Sequence, residues 1–180
     1  MKRLTLLRHA KSGDDASPAR DFDRQLNAKG RRAARAMGRH MREEELRFDA
    51  VLASPAARVV STVEEVEKGY GQALSPVWER RIYLAATADL LDMVHEAPAA
   101  AESVLLVGHN PGLEQLVLML VPRGDDDRPR DQVEEKYPTA SLAEILFEVD
   151  RWADITPGGG TLARFVRPRD IDAALGPDTD

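Results

Sequence analysis

The chain has no cysteine among its 180 residues. That excludes disulfides, thiolate zinc sites and any reaction run by a cysteine nucleophile, a cysteine-type phosphatase included. Long apolar runs are missing too, and none approaches the roughly 20 residues that span a bilayer. Met1-Lys2-Arg3 followed by Leu4 to Leu7 imitates a signal peptide only until Arg8 breaks it, with nothing like a cleavage site behind. Positive charge is in deficit: 25 Lys and Arg against 31 Asp and Glu give a formal net charge of -6. A general attraction to nucleic acid or to an anionic membrane is therefore not expected, and any anion site must be locally basic against an acidic background. The remaining composition is that of an ordinary soluble chain. Residues 1–180 are read as a single domain with a full core, located in the cytoplasm.

What is present is a series of apolar runs, each ending in polar residues of one kind. Arg3 to Leu7 reads as a buried strand closed by Arg8-His9-Ala10. Asp49 to Ala53 reads as a second, closed by Ser54-Pro55-Ala56-Ala57-Arg58. Val104 to Val107 reads as another, closed by Gly108-His109-Asn110-Pro111. Pro76 to Arg81 holds a short strand ending near Glu79. Helices are predicted from about Asn27 to Glu45, from Ser54-Pro55 with serine as cap, through Leu90, Leu91 and Val94, and from Asn110-Pro111-Gly112. Gly30 and Gly38 lie near the apolar face of the first helix and would let it approach a sheet closely. Leu142 to Val149 and Thr161 to Val166 read as an antiparallel pair at a sheet edge, and Arg123 to Gln132 as a charged loop. This alternation predicts a three-layer α/β/α fold with a mostly parallel sheet. Ligands of such sheets gather beyond the carboxyl ends of the strands, where Arg8, His9, Ser54 and His109 all fall.

Two histidines and two arginines at strand ends suit phosphoryl transfer. Arg8 and Arg58 present planar, permanently charged forks that match phosphoryl oxygens. His9 can attack phosphorus if one ring nitrogen is neutral and the other is fixed by an acceptor, most simply a backbone carbonyl. His109, in its protonated form, would stabilise the charge that builds on the transferring group. The work is positioning plus electrostatics, with neither metal nor cofactor required.

Leu7-Arg8-His9-Ala10-Lys11-Ser12, Ser54-Pro55-Ala56-Ala57-Arg58 and Val107-Gly108-His109-Asn110-Pro111 resemble, in order, the three signatures of the histidine phosphatase superfamily, the phosphoglycerate mutase-like fold. Arg-His-Ala-Lys-Ser is similar to its SixA-type phosphohistidine phosphatase branch. Asp23-Arg24-Gln25-Leu26, Arg81-Ile82-Tyr83-Leu84-Ala85 and Lys136-Tyr137-Pro138-Thr139-Ala140 extend the likeness over nearly the whole chain. The resemblance implies a transiently phosphorylated His9, with Arg8, Arg58 and His109 completing the pocket. It makes Lys11, Ser12 and Asn110 further phosphate-binding candidates. Many relatives carry a glutamate general acid after the third core segment. Here Glu79 and Tyr83 are the candidates for that proton donor. A missing acid matters less for a phosphoramidate, whose leaving nitrogen can arrive protonated. The expected substrate is thus phosphohistidine on a phosphorylated protein. A small phosphorylated metabolite handled by a phosphomonoesterase or mutase, and a non-catalytic phosphate-binding module, are the alternatives.

Other features read as structural. His40 and His95 lie in helical patterns without partners. Gly158-Gly159-Gly160 lacks the Lys-Ser/Thr ending of a phosphate loop. Asp125-Asp126-Asp127 is expected to stay solvated, as is the arginine-rich helix face from Arg31 to Arg42.

Overall fold

Strand β1 (Lys2–Arg8) is the hub of the sheet. Its side chains alternate, so Leu4 and Leu6 enter the apolar core on one face and Leu7 the core on the other. The structure, a computed structural model, describes residues 1–13, 20–125 and 127–177. Six strands lie in the order β3-β2-β4-β1-β5-β6. Here β2 is Ala50–Ala53, β3 Val77–Trp78, β4 Ser103–Gly108, β5 Leu142–Phe147 and β6 Gly160–Val166. The first four strands are mutually parallel, whereas β5 runs antiparallel to β1 and β6 antiparallel to β5. The predicted antiparallel edge is there, and the short strand after Pro76 is the opposite edge.

Helices α1 (Ala28–Glu43) and α2 (Ala57–Tyr70) cover one face. On the other lie α3 (Thr87–His95), α4 (Gly112–Leu120) and α5 (Arg128–Glu135). The short α6 (Pro168–Ile171) packs beside α1. No helix among the described residues is long and apolar enough to cross a membrane.

Three local expectations are corrected. The stretch from Arg123 to Gln132 is not all loop, because α5 occupies its second half. Pro129 suits a helix's first turn, Val133 is fully buried, and Arg130 donates to the carbonyls of Val121 and Leu118. Asp126, within the expected acidic loop, lies outside the described residues. The glycines of α1 do not bring it onto the sheet. A Cβ on Gly30 would stand 2.1 Å from the Lys11 carbonyl oxygen, and one on Gly38 2.1 Å from that of Val66 in α2. Gly30 therefore seats α1 on the loop after His9, and Gly38 lets the two helices cross closely. Ser54 does not cap α2, which starts at Ala57 with Ala56 as its cap residue. Arg58 is the second residue of that helix.

Register makes the site. Arg8 pairs with Gly108 across the parallel β1–β4 ladder. The next residues are His9 and His109, and the His9 amide donates to the Gly108 carbonyl at 3.0 Å. The Ser54 amide, leaving β2, donates to the Val107 carbonyl at 3.1 Å. Three strand ends are thus stitched together at their last backbone bonds.

Candidate active site

His9 and His109 face each other with ring centroids 5.4 Å apart. His9 Nδ1 lies 2.7 Å from the Ala10 carbonyl oxygen. A carbonyl only accepts, so Nδ1 carries the proton and Nε2 keeps its lone pair. Burial lowers the His9 pKa to about 3; the nearby charges of Arg8, His109 and Arg58 push the same way, and the Ala10 bond opposes them. The ring is neutral at neutral pH. The carbonyl anchor expected from the sequence is present.

His109 departs from expectation. Burial, and then the charge of Arg58, lowers its pKa to about 4, so it is neutral at neutral pH as the site stands. Its Nε2 lies 2.8 Å from Ser54 Oγ. The same hydroxyl oxygen accepts from the Ala56 amide. Nδ1 is buried and has no hydrogen-bond partner among the described residues. A doubly charged phosphoryl group beside the arginines would offset the charge of Arg58, the second cause of that lowering.

The arginines are held from behind. Arg8 Nη1 donates to the Tyr137 carbonyl at 2.9 Å. Arg58 is 4% exposed. Its Nη1 donates to the Asp21 carbonyl at 2.8 Å and its Nη2 to Asp21 Oδ2 at 3.0 Å. Arg58 Nε is buried without a hydrogen-bond partner among the described residues, a donor that an anion could satisfy. Thr62, one turn after Arg58, ties the pieces together. Its hydroxyl accepts from the Ala10 amide at 2.9 Å and donates to the Arg58 carbonyl at 2.6 Å.

The second-tier residues divide. Ser12 is buried with its hydroxyl bonded to Arg24 Nη2. Lys11 lines a small cleft with Lys29, Thr139 and Pro168. Asn110 spends its amide on structure, donating to the Tyr137 carbonyl at 3.0 Å and accepting from the Glu114 amide at 3.2 Å. Glu79 caps the turn Arg80–Ile82 and pairs with Arg81, whose hydrogen bonds hold its carboxyl below the usual range. That carboxylate has no proton to give at neutral pH. Tyr83 does reach the site, with its ring edge-on to His109 at 5.4 Å and the Arg58 guanidinium 5.9 Å from its centroid. Its hydroxyl donates to Asp21 Oδ2 at 2.6 Å, and this bond raises its pKa.

Asp21, Thr62 and Glu114 were not singled out by the sequence. Asp21 precedes the Asp23-Arg24 match in an irregular stretch, and only the spatial return of that stretch to α2 reveals it. Thr62 had one signal, a polar residue four positions after Arg58 inside a buried valine stripe. Glu114, in the first turn of α4, has its carboxyl pushed up by burial against the opposing charge of Arg8. Among the described residues, no group of three or more His, Asp or Glu comes together in a way that could hold a metal ion.

Comparison with known proteins fits this geometry. Residues 4–81 match the histidine phosphatase superfamily (branch 1). An uncharacterized protein of Mycobacterium tuberculosis is 32% identical over 164 residues, which cover 91% of this chain and 100% of that one. A protein from Nakamurella multipartitia, assigned as the phosphohistidine phosphatase SixA, shares 28% identity with a TM-score of 0.81, over 93% of this chain and 96% of that one. Its counterpart from Agrobacterium tumefaciens shares 29% identity with a TM-score of 0.75, over 93% and 98%. Three ordered signatures, a shared sheet and matches over nearly the full length converge: the chain belongs to the histidine phosphatase superfamily, in its SixA-type branch, and is an enzyme of the phosphatase class.

Proposed function

We propose that the chain is a phosphohistidine phosphatase that releases phosphate from a phosphorylated protein through a phosphoenzyme on His9. The observation that carries the reading is the state of His9. Its ring is buried and neutral, its Nδ1 is anchored on Ala10, and it lies 5.4 Å from the His109 ring within the field of Arg8 and Arg58. Nε2 attacks phosphorus while Arg8 and Arg58 hold the phosphoryl oxygens. The incoming negative charge favours the protonated form of His109, the proton coming from the phosphoryl group or from solvent, and the cation then stabilises the transferring group. Water cleaves the phosphoenzyme in a second step of the same geometry and regenerates His9.

The leaving group favours phosphohistidine over an ester. A positioned acid is worth roughly 10²–10⁴-fold to an alkoxide leaving group, and Glu79 is ionised and tied to Arg81. A phosphohistidine ring that already carries a proton on its far nitrogen leaves as neutral imidazole and needs no acid. One observation favours the second reading, hydrolysis of small phosphate esters: Glu114 has a carboxyl raised by burial within the field of Arg8.

The test is phosphate release from a phosphohistidine peptide and from an alkyl phosphate, with wild type and His9→Ala. The peptide is expected to be preferred, and His9→Ala to lose at least about 10³-fold. Full activity in His9→Ala would overturn the mechanism. A preference for the alkyl ester would keep His9 as the nucleophile and move the enzyme to small esters.

A further inference from the structure

His9 is buried at the floor, so in-line attack sends the leaving group outward to the mouth of the pocket. The mouth is built by the turn Asp21–Asp23, Tyr83 and Arg80. Asp21 is its central charge. Oδ2 accepts from Arg58 Nη2 and from the Tyr83 hydroxyl, and Oδ1 accepts from Arg24 Nη1 at 3.0 Å. A carboxylate oxygen takes about two hydrogen bonds, so Oδ1 has room for one more donor. The Asp21 side chain is 44% exposed.

We infer that Asp21 selects the leaving group: its carboxylate receives the N–H of a phosphohistidine ring on the nitrogen that does not carry phosphorus. This deepens the proposed function and rests on it. The Tyr83 hydroxyl, with Arg24 and Arg58, holds the Asp21 carboxyl well below its ordinary range, so it stands ready as an acceptor and has no proton to donate.

Charge and shape at the mouth support the assignment. A phosphoryl group that shares Arg58 leaves Asp21 less well neutralised, with Arg24 its other paired cation among the described residues. A phosphohistidine ring protonated on its far nitrogen supplies the balance. The other cations of the mouth have partners: Arg20 is paired with Asp23 at 2.9 Å, and Arg80 stacks 5.2 Å from the Phe22 centroid. Phe22 and Tyr83 meet edge-to-face with centroids 5.0 Å apart and form an aromatic wall that attracts a cationic ring.

The step balances without a moving proton. The bond from His9 Nε2 to phosphorus forms as the substrate's P–N bond breaks. The electron pair of that bond returns to the leaving nitrogen. The leaving ring keeps its far proton on Asp21 and departs as neutral imidazole. His9 keeps its own far proton on the Ala10 carbonyl. Donor and acceptor rings are thus held in the same way on opposite sides of phosphorus. An alkyl ester would ask Asp21 for a proton that it does not carry.

The experiment compares wild type, Asp21→Asn and Asp21→Glu on a phosphohistidine peptide and on p-nitrophenyl phosphate, whose phenolate leaves without a proton. The expected result is a fall of tenfold or more in the peptide-to-ester ratio of kcat/KM in Asp21→Asn, with partial recovery in Asp21→Glu. The alkaline limb of kcat for the peptide should also move to lower pH in Asp21→Asn, because the ring's far proton has lost its carboxylate. Equal losses on both substrates with an unmoved pH limb would make Asp21 only a brace for Arg58 and overturn the inference. Wild type that hydrolyses the ester and never the peptide would overturn the phosphohistidine reading itself, whatever the variants do.

Discussion

The floor and the mouth of the pocket are held by different means. At the floor, backbone carbonyls do much of the holding: that of Gly108 takes the His9 amide, that of Ala10 the His9 ring, and that of Tyr137 takes Arg8. At the mouth, side chains hold one another, as Asp21 does with Arg24 and Tyr83, or Arg80 with Phe22. A floor made of ladder ends is rigid and indifferent to what lies beyond the phosphoryl group. A half-exposed mouth is where one substrate can be told from another. On the proposed function, phosphate recognition and substrate choice are separable, and they meet at Arg58, whose Nη groups are held by Asp21.

The comparison breaks hardest at Arg58. Arg58→Ala removes a phosphate donor and strands Asp21, so a fall of about 10²–10³ in kcat/KM is expected on every phosphorylated substrate. Steady-state assays on the peptide and on p-nitrophenyl phosphate would check it. A loss confined to one substrate would mean that Arg58 belongs to the mouth alone.

The floor's buried histidines can be separated from the mouth by acid. Folded His9 and His109 take up protons near pH 3 and 4, whereas the unfolded chain takes up both near its ordinary value of 6.5. Between these values the unfolded state binds more protons, so stability falls as pH drops through the window. At pH 5 each histidine costs ~2 kcal/mol relative to neutral pH. Thermal melts at pH 7 and pH 5 should show the fall, and His9→Gln/His109→Gln should show a smaller one. An equal fall in the double variant would place the acid sensitivity elsewhere.

The smallest expected effect lies at Ser54. Ser54→Ala leaves His109 Nε2 without its buried partner, which costs about 1–3 kcal/mol where nothing replaces it. A loss of about tenfold in kcat with little change in KM is expected. An unchanged kcat would mean that Ser54 serves only the backbone beside it.

The same division marks how much could be read in advance. Arg8, His9, Arg58 and His109 stand in short contiguous motifs next to apolar strands, so both the strands and their chemical ends were legible. The parallel core and the antiparallel edge followed from the alternation of elements. Asp21 was hidden because its partners Arg58 and Tyr83 lie far along the chain, and no periodic pattern runs through the turn that carries it. Ser54 was read as a helix cap from a local preference; its hydrogen bond to His109 comes from the neighbouring strand. Helix α5 was missed because its charged surface outweighs the single buried Val133.

The pairing of Arg8 with Gly108 has a consequence for the order of events in the life of the chain. As the ribosome releases the polypeptide, His9 emerges early, but its opposing histidine and the carbonyl that anchors its amide come from a segment made about a hundred residues later. The carbonyl that steadies Arg8 comes later still, from Tyr137. Until that segment slots in between the first two strands, His9 lacks both its facing histidine and the burial that holds its ring neutral. The chain thus acquires its reactivity late, once its most distant contacts have formed, and a truncated or stalled product carries the signature residues without the chemistry.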